Sequence, residues 1–199
     1  MNRIARTRVY NTNMANKYIS RAGEKLEAAL NEFNVDPKGL VCADFGCNAG
    51  GFTDCLLQKG AARVYAVDTG YEMLDWKLRN DARVRVLERT NALHVKLGEL
   101  CNLICLDLGW TTQTKALPNT LLNLKPQGMI ISLLKPHYEA KTFGIKLTNG
   151  KLTGQQAQTV ANKVIEQIKG LGLKIEGCMP SPLIGKHAGN SEYLLLIKK

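Results

Sequence analysis

The chain has 199 residues, 45% hydrophobic and 22% charged, which suits one domain burying roughly 70% of its unfolded surface and excludes a largely disordered protein. Its 27 Lys and Arg against 17 Asp and Glu give a formal charge of +10. That balance favours a polyanionic partner, because basic groups release the counterions condensed on phosphates. No apolar run approaches the ~20 residues that span a bilayer, and the start Met1–Arg8 lacks the apolar core of a signal peptide, so a cytoplasmic protein with no membrane partner is expected. Cysteines at 42, 47, 55, 101, 105 and 178 form no C-x-x-C and no Cys/His cluster. They read as free, mostly buried thiols, and no metal ligands are assigned.

Residues 1–17 are polar and basic, carrying Arg3, Arg6, Arg8 and Lys17 without periodicity, and are expected to form an extended arm ahead of a domain over 18–199. From Tyr18 to Phe33, Ile19, Ala22, Leu26, Ala29, Leu30 and Phe33 recur at helical spacing, with Glu24, Glu27 and Asn31 opposite, so a core-facing amphipathic helix is predicted. Lys25 falls about 90° from the centre of the apolar face, at its border, from which a lysine reaches into a cleft. Apolar runs at 40–45, 63–67, 83–87, 103–107, 128–134, 173–178 and 192–197 predict seven strands. Helical patterns between them, notably Gly51–Lys59 and Thr153–Ile168, imply an α/β class: a Rossmann-like, mostly parallel seven-stranded sheet with helices on both faces. Tyr138–Lys151 is the one irregular segment.

The junction between the first predicted strand and the next helix reads Asp44-Phe45-Gly46-Cys47-Asn48-Ala49-Gly50-Gly51-Phe52. Glycines here permit close backbone approach to a nucleotide-like ligand, and Asp44, Gly46, Asn48, Gly50, Gly51 and Phe52 are the candidate contacts. The spacing departs from G-x-G-x-x-G, and an acidic residue before the glycines suits a cation better than a pyrophosphate. S-adenosylmethionine, with its ammonium and sulfonium, therefore fits better than a dinucleotide. Asp68 follows the second strand about 22 residues past Gly46, where such sites put a carboxylate on ribose hydroxyls, with turn-capping as the alternative. Asn91, after the third strand, is a candidate for the adenine edge or simply a turn former.

With these residues in view, the sequence resembles the FtsJ-like, S-adenosylmethionine-dependent ribose 2′-O-methyltransferases, most closely the TlyA branch often labelled haemolysin. The resemblance is carried by Tyr18–Glu27, Gly51–Leu57, Asp75–Asp81, Glu88–Ala92, Leu134–Ala140 and His187–Leu194, and it runs from about Tyr18 to the C-terminus. It implies a K-D-K-E catalytic set, matched here by Lys25, Asp107, Lys135 and Glu192. Independently, Asp107 and Lys135 fall at the carboxyl ends of the fourth and fifth predicted strands, the edge where open α/β sheets bind ligands. On this reading Lys135 takes the proton of an RNA ribose hydroxyl, while Asp107 and Glu192 orient the ammonium groups and the hydroxyl. The implied substrate is ribosomal RNA or a ribosomal subunit.

Two departures from the family pattern stand out. In the sequence given, a basic arm of about 17 residues stands where the family usually carries a small RNA-binding domain of ribosomal-protein type, so a different mode of substrate docking is expected. After Asp107 the sequence Leu108-Gly109-Trp110-Thr111-Thr112-Gln113 replaces a Ser-Phe-Ile-Ser-like continuation. Trp110 either stacks an RNA base or packs beneath its loop, and packing is the favoured expectation. His94, His137 and His187 receive no catalytic role. These departures motivate an alternative, a non-catalytic RNA-binding or assembly factor that retains the fold. Membrane lysis, suggested by the haemolysin label, lacks a spanning segment.

Overall fold

The computed structural model describes residues 17–185 and 189–199. The expected arm falls almost wholly outside them. Only its last residue, Lys17, is described, and it is anchored to the domain, with Nζ 2.6 Å from Glu27 Oε1.

Seven strands, β1 (Val41–Phe45), β2 (Arg63–Val67), β3 (Val84–Leu87), β4 (Cys101–Leu106), β5 (Leu124–Leu134), β6 (Lys174–Pro180) and β7 (Tyr193–Lys198), form one sheet in the order β3-β2-β1-β4-β5-β7-β6. The first five pair in parallel, and β7 runs antiparallel to both β5 and β6. A sheet buried on both faces needs apolar side chains at consecutive positions. Cys42, Val64, Leu103, Cys105, Ile131 and Leu194 accordingly face one core with α1 (Ala22–Glu32) and α2 (Gly51–Gln58). Ala43, Phe45, Ile104, Leu106, Ile130 and Leu195 face the other, with α4 (Gln113–Leu122) and α6 (Gly154–Gly170). The predicted class and the strands hold, with ends shifted by a few residues.

Three helices escaped the sequence pattern: α4, α3 (Trp76–Arg79) and α5 (Pro136–Glu139), the last continued by a 3₁₀ turn, Ala140–Phe143. The two four-residue helices are too short to show periodicity, and α4 carries Pro118 in its interior, a residue that normally signals a helix end. α6 begins with a capping box in which Thr153 and Gln156 satisfy each other's backbone N–H groups. Cys42, Cys47, Cys55, Cys101 and Cys105 are buried free thiols, and Cys178 is exposed. Among the described residues, no helix is long and apolar enough to cross a membrane.

Candidate active site

At the carboxyl edge of the parallel strands, where the chain leaving β1 and the chain leaving β4 turn to opposite faces of the sheet, lies a cleft of about 860 Å³. Its walls come from the ends of β1, β4 and β5, the start of α1, the approach to β7, and the segment between α5 and α6. Lys25, Asp107, Lys135 and Glu192, scattered over the sequence, all line it. Lys25 projects from α1 into the cleft, as expected of a residue at the border of the apolar face, and is buried there, with its Nζ donating to Glu192 Oε2 at 2.5 Å. Glu192, just ahead of β7, is also buried. Lys135, which precedes α5, holds Nζ 2.5 Å from Asp107 Oδ1. Two lysine-carboxylate pairs thus face one cavity.

The floor is the turn after β1. Gly46 (φ 89°) bends the chain there, and a Cβ on it would lie 2.6 Å from the carbonyl oxygen of Asp107. Glycine is required both for the backbone angle and for this contact, which brings the turn against the catalytic-candidate aspartate. Asp44 is 1% exposed. Its Oδ2 accepts from the N–H and the hydroxyl of Thr53 at 2.9 and 2.7 Å, while its buried Oδ1 has no hydrogen-bond partner. Burial raises its pKa to about 7; the Thr53 hydrogen bonds pull the other way, and the charges of Asp107 and Asp68 add to the rise. A buried acceptor without a donor, at the wall of a cleft, fits a cationic ligand group.

Asn48 and Phe52 also line the cleft, but Gly50, Gly51, Asp68 and Asn91 do not. Gly50 faces Leu74 and Leu78, and a Cβ on Gly51 would lie 2.2 Å from Ser20 Oγ and 2.9 Å from Ala22 Cβ. Close packing of α1 against α2 is thus by itself a reason for glycine at position 51. Asp68 accepts the N–H groups of Asn48 and Gly70 at 2.9 and 2.7 Å, so it braces the turn from behind. Asn91 is exposed and accepts from the Leu93 N–H, the geometry of a turn former.

The loop after Asp107 overturns another expectation. Trp110 is 88% exposed at the cleft mouth instead of packed beneath the loop, with φ 58° in the left-handed region. Its ring lies 4.8 Å from that of Tyr138, which lies 4.1 Å from that of His137. His137, assigned nothing from sequence, lines the cleft. Burial and the charge of Lys135 lower its pKa below the ordinary histidine value. Behind this run, the buried carboxylate of Glu139 accepts the Gln113 N–H at 2.7 Å and so caps α4. Burial raises its pKa to about 7. His187 lies outside the described residues.

Other lining residues were assigned no role from the sequence. Arg21 is exposed and donates to the Ile184 carbonyl at 3.1 Å. Gly185 sits against Glu192, where a Cβ would come within 3.1 Å of Oε1. Asn190 is buried two residues ahead of Glu192.

The FtsJ-like methyltransferase family model matches residues 18–199. Hemolysin A of Brachyspira hyodysenteriae is 37% identical over 182 residues, 89% of this chain and 75% of that protein. The 16S/23S rRNA (cytidine-2′-O)-methyltransferase TlyA of Mycobacterium tuberculosis is 36% identical over 194 residues, 94% of this chain and 70% of that protein. A crystal structure of a candidate hemolysin from Lactococcus lactis superposes with a TM-score of 0.86 at 35% identity, covering 93% of this chain and 90% of the other. The N-methyltransferase NodS of Bradyrhizobium japonicum shares the fold, with a TM-score of 0.60 at 14% identity over 90% of this chain and 98% of that one. The chain belongs to the FtsJ-like methyltransferase family.

Proposed function

We propose that this member of the FtsJ-like family transfers a methyl group from S-adenosylmethionine to a ribose 2′-hydroxyl of ribosomal RNA. The observation that carries the reading is the convergence of the pairs Lys25–Glu192 and Lys135–Asp107 on one cleft beside Asp44. The ribosomal substrate is supported by the relative named as a 16S/23S rRNA (cytidine-2′-O)-methyltransferase and by the formal charge of +10.

S-adenosylmethionine, when bound, supplies a methyl group on a positively charged sulfur. In this reading Asp44, Gly46, Asn48 and Phe52 hold it, with the unpartnered Oδ1 of Asp44 answering its cationic end. The Gly46 turn offers backbone where a side chain would collide, and Asp68 fixes Asn48 through its N–H.

Lys135 Nζ, entering the reaction as the uncharged amine, takes the proton of the attacking hydroxyl, and Asp107 steadies Nζ and stabilises the ammonium that forms. The Lys25–Glu192 pair orients the acceptor ribose from the facing wall, and its burial keeps those groups in one arrangement, so catalysis draws mainly on positioning. Trp110, Tyr138 and His137 form the aromatic side of the acceptor pocket, on which an unstacked base lies.

Mass spectrometry of ribosomal RNA nucleosides after incubation with the protein and S-adenosylmethionine tests the reading. A 2′-O-methylnucleoside is expected. Methylation on a base would contradict it, and RNA binding without any methyl incorporation would favour a non-catalytic RNA-binding factor.

A further inference from the structure

Between α5 and α6 the chain forms one wall of the cleft, to which Leu147 and Gly150 contribute. From Ala140 to Ile165 it contains no acidic residue but carries Lys141, Lys146, Lys151 and Lys163. Lys141, Lys146 and Lys151 are exposed, and no ion pair among the described residues involves them. The wall is built. Phe143, Ile145, Leu147 and Leu152 pack against the core. Thr148 and Lys151 exchange both backbone hydrogen bonds, at 2.9 and 3.0 Å. The two residues between them, Asn149 (φ 50°) and Gly150 (φ 74°), make the tight turn of a hairpin.

One buried side chain fastens this wall to the segment ahead of β7 that bears Glu192. Asn190, 5% exposed, donates from Nδ2 to the Gly150 carbonyl at 2.9 Å and accepts the Leu152 N–H on Oδ1 at 3.1 Å. Its backbone carbonyl accepts the Gly185 N–H at 3.0 Å. Both ends of the amide are thus used on the lysine-bearing hairpin, two residues from the carboxylate that holds Lys25.

We propose that Lys141–Lys151 is a phosphate-gripping wall for the RNA strand flanking the acceptor ribose, and that Asn190 is the positioning residue that registers this wall against Glu192. The proposal rests on the RNA reading above. Exposed Lys146 and Lys151 stand next to Leu147 and Gly150, which line the cleft, where they can meet the backbone phosphates of an entering strand, and the absence of carboxylates over 26 residues, 140 to 165, removes the sequence-local competitors that would otherwise neutralise them. The wall touches no base edge in this account, so it contributes affinity and register without sequence preference.

The test uses the full chain and in vitro transcribed 16S and 23S ribosomal RNA. It compares wild type, Lys146→Ala/Lys151→Ala, Asn190→Ala and Asn190→Asp by filter binding across a salt series, by S-adenosylmethionine calorimetry, and by methyl-transfer kinetics. For the double lysine variant, RNA affinity is expected to fall about tenfold and the log-log salt slope to lose about 1 to 2, because each lost phosphate contact removes about 0.7 to 0.9. Its cofactor affinity should match wild type. Asn190→Ala should raise KM for RNA more than it lowers kcat. Asn190→Asp, which keeps the acceptor for Leu152 and loses the donor to Gly150, should fall between. Unchanged RNA affinity and salt slope in the lysine variant would overturn the wall while leaving the methyltransferase reading intact. Wild type that binds cofactor but no RNA would overturn both. Equal losses of kcat and cofactor affinity in Asn190→Ala would reduce that residue to a structural support.

Discussion

Nζ of Lys25 lies 2.5 Å from Oε2 of Glu192, tying the first helix to the start of the last strand across 167 residues of sequence. Both side chains are buried. Removing one partner strands the other charge, which typically costs ~3–5 kcal/mol, whereas replacing both with apolar groups is often close to neutral. Glu192→Ala should therefore lower unfolding free energy by about 3 kcal/mol in urea titration, and Lys25→Met/Glu192→Met should recover most of the loss. Methyl transfer should be absent in both. A stable, fully active double variant would remove the pair from the catalytic account.

Asp44 and Glu139 give the ligand-free protein an inverted pH response. Burial raises both carboxyl pKa values to about 7, well above the ordinary carboxylate range, so the folded state holds protons that the unfolded chain has released. The stability this confers is fully present below about pH 4 and is lost as pH rises through 7. Thermal melting temperature should fall between pH 6.5 and 8, by ~2–4 °C for each kcal/mol involved. Asp44→Asn and Glu139→Gln should each flatten the slope. A melting temperature that rises over this range would contradict the burial argument.

The same aspartate makes cofactor binding pH-dependent in the opposite sense. A cationic ligand prefers ionised Asp44, so affinity for S-adenosylmethionine should weaken as pH drops below about 7. Asp44→Asn should weaken it by about tenfold or more, the ~1.5–3 kcal/mol of one hydrogen bond to a charged group. Calorimetry at pH 6 and 8 checks both statements, and equal affinities would exclude Asp44 from the cofactor site.

Trp110 sits 88% exposed at a positive φ, an arrangement with a local conformational cost of ~1–3 kcal/mol. If its ring serves as a base platform, Trp110→Ala should reduce transfer to RNA at least tenfold, given ~1–3 kcal/mol per stacked base. Trp110→Phe should restore most of the activity. Trp110→Gly should match or exceed wild type in stability while losing transfer. A Trp110→Gly variant as active as wild type would show that the ring is idle.

Strands were the most legible part of the sequence, because burial on both faces leaves continuous apolar runs such as Val64–Val67 and Leu103–Leu106. α4 was not, since Pro118 interrupts its pattern. Within the site, the residue types at 25, 107, 135 and 192 were readable, but not their pairing. Which ammonium meets which carboxylate depends on how α1 packs against β7. The glycines illustrate the same limit. That a side chain is excluded at Gly51 is visible in sequence, but whether a ligand or the Ser20 hydroxyl excludes it is a property of the packed helices. Asn190 falls in a segment that carries the family resemblance, but its role was not readable, because it lies in hydrogen bonds to backbone groups 38 and 40 residues away.

Gly51→Ala tests that packing directly. Its Cβ would meet Ser20 Oγ at 2.2 Å and Ala22 Cβ at 2.9 Å, forcing α1 off α2 and carrying Lys25 with it. A loss of about 1–3 kcal/mol is expected from such overpacking, with transfer reduced further than stability alone explains. Unchanged melting and activity would mean that α1 accommodates the methyl group without moving Lys25.

The most direct test of the central claim compares wild type with Lys135→Ala, using isotopically labelled S-adenosylmethionine, unmethylated ribosomal particles and free ribosomal RNA, with cofactor affinity measured alongside. The account predicts label on a ribose 2′-oxygen for wild type, none for Lys135→Ala, and cofactor affinity within about twofold between the two, since Lys135 acts on the acceptor side. Ribose methylation that survives the substitution, or a loss of transfer accompanied by an equal loss of cofactor binding, would contradict the role assigned to Lys135.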